Sequence, residues 1–195
     1  MRHTFFHPLA PFLIAVSLLL SGCTSMWSSV SSNPIENEPV ERTMGRQIED
    51  ETVEVKALVN IRAADERFDK AHLSAVSYNG FVLLVGQVVD QELKDKASNV
   101  VREIRGVRRI YNELEIAAPS SGMTRTADTW ITAKVKSWLL ANSSTPGLRI
   151  KVVTENGVVY LMGLASKEEA QRITDVAANL SGVQRVVRLF EVVPS

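Results

Sequence analysis

The sequence predicts an α+β protein made of two tandem copies of one small module. Two Asn-Gly dipeptides, Asn79-Gly80 and Asn156-Gly157, each separate two runs rich in β-branched residues, which is the pattern of a β-hairpin. The sequences around the two dipeptides align at an offset of 77 residues, and the offset stays close to that value across roughly 65 residues. One pattern repeated at nearly constant spacing indicates a duplication.

Each copy is expected to begin with an amphipathic helix, at Asp50–Arg62 and at Asp128–Ala141. An Asp at the N-cap can accept hydrogen bonds from the free backbone N–H groups of the first turn. In the second copy Ile131, Val135 and Leu139 recur every four residues and define the predicted buried face. The acidic residues Glu49, Asp50, Glu51 and Glu54 are interpreted as a solvated first turn.

A hairpin, a second helix and a last strand follow, so the order in each copy is αββαβ. The hairpins end at Gly86 and Gly163, the second helices are expected at Gln91–Arg105 and Lys167–Leu180, and the last strands at Val107–Ile116 and Val183–Val193. A helical connection between the second and third strands implies that these strands are parallel. We therefore expect a small mixed three-stranded sheet, covered on one face by two helices.

The N-terminus has the pattern of a bacterial lipoprotein signal. Arg2 precedes an almost entirely apolar stretch, residues 9–20, which is short for a membrane span. That stretch leads into Leu20-Ser21-Gly22-Cys23, in which Cys23 is the only cysteine of the chain. We expect cleavage after residue 22 and acylation of Cys23, for example with palmitate. An ordinary secretion signal and an uncleaved anchor are the alternatives.

The ordered set of motifs resembles a BON domain: an Asp-led helix, an Asn-Gly hairpin ending in Val-Gly or Met-Gly, and a Gly-Val before the last strand. Two such domains behind a lipoprotein signal resemble the dual-BON outer-membrane lipoproteins of the DolP (YraP) type. The expected organisation is a signal peptide (1–22), an acylated Cys with a flexible linker (23–45), BON domain one (46–118), a linker (119–127) and BON domain two (128–195).

The two copies differ in charge and in tryptophan content. Residues 46–122 contain 11 Lys or Arg and 13 Asp or Glu, whereas residues 123–195 contain 9 and 6. Trp130, Lys134 and Trp138 are spaced by four residues on the first helix of the second copy, beside Ile131, and Lys136 lies further round. Aromatic rings with lysines suit a membrane interface. Trp130 is expected to be exposed, whereas Trp138 fits a core position and an interface position equally well.

The resemblance implies a function for this helix. It implies that Trp130, Ile131, Lys134, Lys136 and Trp138 bind anionic phospholipid such as phosphatidylglycerol or cardiolipin. The protein would face the periplasm from the outer membrane, with enrichment at the division septum, and would support envelope integrity and cell division. The alternative is a scaffold for the outer-membrane assembly machinery or for regulators of cell-wall amidases, contacted through the first copy, which has no lipid-like flank.

An enzymatic role is not expected from the sequence. The chain after residue 22 has one histidine, His72, and no glycine-rich phosphate loop follows a strand. His72 is interpreted as a surface residue, and no metal or cofactor is expected. A role in binding nucleic acid does not fit the expected compartment.

Overall fold

The computed structural model describes residues 43–142 and 145–193. The helices are α1 (Met44–Ala64), α2 (Gln91–Arg102), α3 (Gly122–Ala141) and α4 (Lys167–Ala178). The strands are β1 (His72–Tyr78), β2 (Phe81–Val88), β3 (Arg109–Asn112), β4 (Glu115–Ile116), β5 (Ile150–Glu155), β6 (Val158–Ala165) and β7 (Arg185–Val192). Short 3-10 turns occupy Glu66–Lys70 and Gly147–Arg149. Module one comprises α1 to β4, and module two comprises α3 to β7.

The α+β class and the order αββαβ are confirmed in both modules. In each module the hairpin strands are antiparallel and the last strand pairs in parallel with the second strand of the hairpin. In module one the last strand is split into β3 and β4, which both pair with β2. The split falls at Glu113 and Leu114, where the buried Leu114 side chain packs into the core.

Both first helices begin earlier than expected, so Asp50 and Asp128 are not N-caps. Thr43 caps α1 and Ser121 caps α3, each accepting a hydrogen bond from a backbone N–H three residues later. The helix α3 therefore starts inside the segment expected to be a linker. Asp50 lies in the second turn of α1 and is buried rather than solvated.

The two aspartates instead hold the hairpin turns of their own modules. The carboxylate of Asp50 accepts hydrogen bonds from the backbone N–H groups of Asn79 and Gly80, at 2.7 and 2.9 Å. Asp128 accepts from Asn156 and Gly157 at 2.9 and 2.8 Å. In both turns the Asn and the Gly have positive φ, as a type I′ turn requires. Each first helix is thus joined to its hairpin.

The hydrophobic residues form three stacked clusters. One lies between the helices α1 and α2 and the sheet of module one, and another lies between α3 and α4 and the sheet of module two. The third lies between the two sheets and includes Leu83 and Val85 from β2 with Tyr160 and Met162 from β6. The layers are therefore helices, sheet, sheet and helices, and the two helix layers lie on opposite outer faces.

Polar contacts also join the modules. The side-chain amide of Asn79 donates to Glu191 of β7, and that of Asn156 donates to Glu115 of β4. Because Glu115 and Glu191 occupy equivalent positions in the repeat, each turn Asn contacts the last-strand Glu of the other module. Glu54, expected to be solvated, accepts from the backbone N–H of Ser77 at 2.8 Å and forms an ion pair with Lys151. Of the four acidic residues near the start of α1, Asp50 and Glu54 therefore stabilise the fold.

His72 lies at the start of β1, where its Nε2 is 3.4 Å from Glu155 of module two. Glu155 is buried and also accepts a hydrogen bond from Gln87 at 2.8 Å. His72 is about a quarter exposed and lines the junction between the modules, instead of standing alone at the surface. Within residues 43–142 and 145–193, no group of three or more His, Cys, Asp or Glu could hold a metal ion.

Candidate membrane-facing helix

The helix α3 is fixed in place by its buried face. Ile131, Val135 and Leu139 are at most 6% exposed and pack into the core of module two, with Asp128 buried in the turn before them. The side chain of Ile131 is thus enclosed by protein and cannot contact lipid in this fold, which corrects the inclusion of Ile131 in the lipid-binding set. The opposite face of α3 is left exposed.

Trp130 is the main aromatic residue of that exposed face. Its side chain is 68% exposed, whereas Trp138 is half-buried and packs against the core of module two. The difference follows from helix geometry. Residues four apart are rotated by about 40° from each other on an α-helix, so the row Trp130, Lys134, Trp138 drifts toward the core. Trp138 therefore lies at the edge of the core, with part of its side chain exposed.

The two lysines of α3 have different surroundings. The Lys134 ammonium donates to the backbone carbonyl of Ser181 and lies 3.2 Å from the Ser181 hydroxyl, which ties α3 to the loop before β7. Lys136 is exposed on the other flank of the outward face. Lysines on both flanks can extend their charged ends past the apolar centre of the face. Of the two lysines, Lys134 contacts Ser181 and Lys136 does not.

The exposed side of α3 has no exposed carboxylate. Its charged residues are Arg125, Asp128, Lys134 and Lys136, and the single acid among them is buried and bonded to the hairpin turn. The surface that α3 presents to solvent is therefore positive. Such a surface suits an anionic partner.

Further apolar residues extend this surface and were not identified from the sequence. Met123, Leu140 and Leu148 are 84%, 61% and 92% exposed. Leu140 and Leu148 line the same shallow cleft at the C-terminal end of α3. Leu140 lies outside the four-residue spacing of the core residues, and this position in the sequence indicates an exposed apolar side chain. We call the exposed set Trp130, Lys136, Leu140 and Leu148 the α3 surface.

The connection after α3 places Leu148 beside that helix end. The Thr145 hydroxyl donates to the backbone carbonyls of Leu139 and Asn142, at 2.7 and 2.9 Å, and so satisfies the end of the helix. Gly147 packs so closely on Leu139 that a Cβ there would lie 2.6 Å from its carbonyl oxygen. The expected lipidation site, Cys23, lies outside the described residues.

A search of the described residues for a helix both long and apolar enough to cross a membrane finds none.

Comparison with protein-family models matches the BON domain at residues 50–118 and again at residues 127–194. The chain belongs to the BON-domain family, as a two-domain protein of the DolP type. It is 33% identical over 181 residues to the outer membrane lipoprotein DolP of Haemophilus influenzae, covering 92% of this chain and 93% of that protein. This similarity assigns the chain to the outer-membrane lipoproteins with BON domains.

Two further relatives share a large part of the chain. The 21 kDa hemolysin of Actinobacillus pleuropneumoniae is 36% identical, covering 78% of both chains. Osmotically-inducible protein Y of Escherichia coli K12 is 29% identical, covering 69% of this chain and 67% of that protein. Among solved structures, the C-terminal domain of CdsD, a structural protein of the type III secretion system of Chlamydia trachomatis, matches 70% of this chain with a TM-score of 0.31 and 11% identity. The names of the three sequence relatives do not denote enzymes.

Proposed function

We propose that this protein is anchored by acylation of Cys23, faces the periplasm, and binds anionic phospholipid through the α3 surface. The observation that carries the proposal is the combination on one helix face of the exposed Trp130, flanking cations and no exposed carboxylate. Aromatic rings favour the depth of the headgroups, and lysines next to them meet lipid phosphates.

The two membrane contacts have different roles. Three acyl chains on Cys23 would supply far more membrane affinity than a single chain, which holds only marginally. A weak contact by α3 is then sufficient, because the anchor keeps the helix at a high local concentration near the bilayer. The anchor thus provides attachment, and the α3 surface selects membrane regions rich in phosphatidylglycerol or cardiolipin, such as the division septum, where the protein supports envelope integrity.

The chain length allows both contacts at once. The helix α1, where the chain enters the folded part, lies in the outer layer opposite α3. Layers about 10 Å apart put the two helix layers roughly 30 Å from each other. Residues 24–42 separate Cys23 from the cap of α1, and nineteen residues can span up to about 63 Å. The anchor and the α3 surface can therefore reach the same membrane.

The proposal is tested by co-sedimentation with vesicles, using the chain from Thr24 onward so that binding does not depend on acylation. A fragment beginning after Thr43 should be avoided, because Thr43 caps α1. The protein should sediment with vesicles that contain phosphatidylglycerol or cardiolipin and stay in solution with phosphatidylcholine alone. Equal binding to all three would show that the α3 surface does not recognise anionic headgroups.

Two substitutions define the binding face. Lys136→Glu should weaken binding about thirtyfold, because each lysine near an anionic surface contributes about 1 kcal/mol and the reversal doubles this. Trp130→Glu should weaken it at least as much. Lys70→Glu and Val89→Glu, at exposed sites of module one, are the matched controls. Lys134→Glu is less suitable, because it also removes the contact with Ser181.

A further inference from the structure

The two Asn-Gly turns are also places where the backbone can react with a side chain. The backbone nitrogen of Gly can attack the side-chain carbonyl carbon of the preceding Asn, because Gly has no Cβ that hinders the approach. A bond forms between that nitrogen and Cγ, the bond from Cγ to the amide nitrogen breaks, and ammonia leaves with the proton of the Gly N–H. Water then opens the cyclic imide to aspartate or isoaspartate. Asn79-Gly80 and Asn156-Gly157 are the two Asn-Gly sequences of the chain.

The geometry of the folded turns blocks this reaction. The attack closes a five-membered ring, so the Asn Cβ and the Gly nitrogen must lie on the same side of the Asn Cα–C bond. Asn79 and Asn156 have φ angles of 52° and 49°. The first central residue of a type I′ turn has ψ near about +30°, which places Cβ about 150° from the Gly nitrogen around that bond. The Asn–Gly peptide must therefore rotate before the ring can close.

A buried aspartate opposes that rotation in each module. Asp128 is 4% exposed and accepts hydrogen bonds from the backbone N–H groups of Asn156 and Gly157, at 2.9 and 2.8 Å. Asp50 makes the equivalent bonds in module one. Rotation of the Asn–Gly peptide swings the Gly N–H away and removes a donor from a buried carboxylate, which is costly. The side chain that fixes each turn thus also holds its reactive nitrogen.

The reaction would have unequal consequences in the two turns, because their surroundings differ. The Asn156 amide donates to Glu115 of the other module at 2.9 Å, and within residues 43–142 and 145–193 no cation pairs with Glu115. An aspartate at this position places two carboxylates against each other. In module one, Arg108 contacts both Glu191 and the Asn79 carbonyl, so a new charge there lies beside a cation. Repulsion between the modules is therefore expected from the turn of module two.

We propose that both Asn-Gly turns are deamidation sites locked by Asp50 and Asp128, and that conversion of Asn156 loosens the contact between the modules. The product does not revert, so it records each opening of a turn that leads to reaction. Isoaspartate also adds one backbone atom to a two-residue turn, whose type depends on the length of the loop.

Peptide mass spectrometry of the full chain, purified in detergent and kept at mildly alkaline pH, measures the conversion rate at each Asn. Asp128→Ala should accelerate conversion of Asn156 at least about tenfold. Tenfold corresponds to about 1.4 kcal/mol, which is no more than one hydrogen bond to a charged group contributes. The rate at Asn79 should stay within about twofold of the wild type. Asp50→Ala is the matched control and should show the reverse pattern.

Three outcomes would overturn the lock or the site. Equal acceleration at both Asn residues by Asp128→Ala would mean that deamidation follows unfolding of the whole molecule. Acceleration at neither would mean that Asp128 does not protect the turn. A wild-type chain that stays unconverted in urea would mean that these sequences are not deamidation sites. Asp128→Asn, which keeps one acceptor oxygen, should give an intermediate rate and replaces Asp128→Ala if circular dichroism shows that chain to be unfolded.

Asn156→Asp tests the consequence of the reaction. It places the new charge beside Glu115 and should lower the urea concentration at the midpoint of unfolding. Adding Glu115→Gln should restore most of that loss, because the repulsion is then removed. Asn79→Asp, beside Arg108, is the matched control and should shift the midpoint less than half as far. Equal shifts for the two substitutions, or a loss that Glu115→Gln does not restore, would show that deamidation does not act through the contact between the modules.

Discussion

Asp50 shows how one buried side chain joins two elements that are distant in sequence. Its carboxylate accepts hydrogen bonds from the Ser77 hydroxyl at 2.7 Å and from the backbone N–H groups of Asn79 and Gly80. Asp50→Ala would leave these donors without their partner, at a cost of about 2–4 kcal/mol. Urea denaturation should show this loss in the free energy of unfolding. Glu51→Ala, the exposed neighbour, should stay within about 0.5 kcal/mol of the wild type.

Glu191 connects the modules in a pH-dependent way. The Arg108 guanidinium forms a two-fold hydrogen bond with its carboxylate, at 2.9 and 3.0 Å, and holds the pKa of Glu191 below its usual value. A lowered pKa in the folded state means that the stabilisation is complete above about pH 5 and is lost as the pH falls through the folded pKa.

Arg108→Ala should therefore lower the free energy of unfolding by about 1 kcal/mol at pH 7, a modest value because both side chains are partly exposed. The difference from wild type should shrink as the pH falls through the lowered pKa, leaving the part due to the contacts of Arg108 with the Asn79 carbonyl and the Phe81 ring. Denaturation curves at several pH values measure this. Arg105→Ala removes an exposed arginine of the same loop and should show no such pH dependence. A constant difference at all pH values would contradict the role of Glu191.

At the scale of elements, the two tryptophans of α3 should respond differently to the same substitution. Trp138→Ala removes a ring that packs on the core of module two and should cost about 2 kcal/mol in the free energy of unfolding. Trp130→Ala removes an exposed ring and should change it by less than about 0.5 kcal/mol. In vesicle binding the order should reverse, with Trp130→Ala the more damaging. If Trp138→Ala were the more damaging substitution in both measurements, Trp130 would not be the main lipid contact of α3.

The elements themselves could be predicted from local pattern. The Asn-Gly turns and the four-residue spacing of Ile131, Val135 and Leu139 depend on neighbours in sequence, and the structure has the hairpins and the buried face where they indicated. The role of Asp50 could not be predicted in this way. An Asp before an apolar repeat is typical of an N-cap, whereas the role of Asp50 depends on its contact with a turn about 29 residues later.

The outward faces were the less predictable part of the candidate site. Leu140 of α3 falls outside the core periodicity, and so do the exposed apolar residues of α1, which are Met44, Ile48, Val55 and Val59. Their exposure depends on whether another element covers them, which the sequence of one helix does not tell. The same holds for Lys134, whose contact with Ser181 requires the position of a loop 47 residues away. Periodicity thus predicts which face is buried, and the packing of other elements decides what the opposite face can bind.

At the scale of the whole molecule, the cluster between the two sheets should make the modules unfold together. Tyr160 of β6 is buried in that cluster, only 3% exposed, together with Leu83 and Val85 from module one. Burial, with a smaller contribution from the charge of Glu113, raises the pKa of Tyr160 to about 12. Ionisation of this phenol would place a charge between the sheets, where neither module can solvate it.

The sign of the effect follows from the raised pKa. The folded state holds the Tyr160 proton more tightly than the unfolded chain, so this contribution to stability is complete below about pH 10 and is lost as the pH rises toward 12. A shift of this size corresponds to roughly 2–3 kcal/mol. Urea denaturation at pH 9 and pH 11.5 should show most of this loss. Tyr160→Phe should reduce the alkaline loss, whereas Tyr111→Phe, at a half-buried tyrosine, should retain it.

Two optical signals then distinguish joint from separate unfolding. In a chain with Trp27→Phe, which removes the third tryptophan, Trp130 and Trp138 report on module two. Far-ultraviolet circular dichroism reports on both modules. Tyr160 belongs to the cluster that buries one face of each module's sheet. Its ionisation therefore weakens the packing of both sheets. The fluorescence and dichroism transitions should therefore coincide at pH 9 and shift together at pH 11.5. A fluorescence transition that moves alone would mean that each module is stable without the cluster between the sheets.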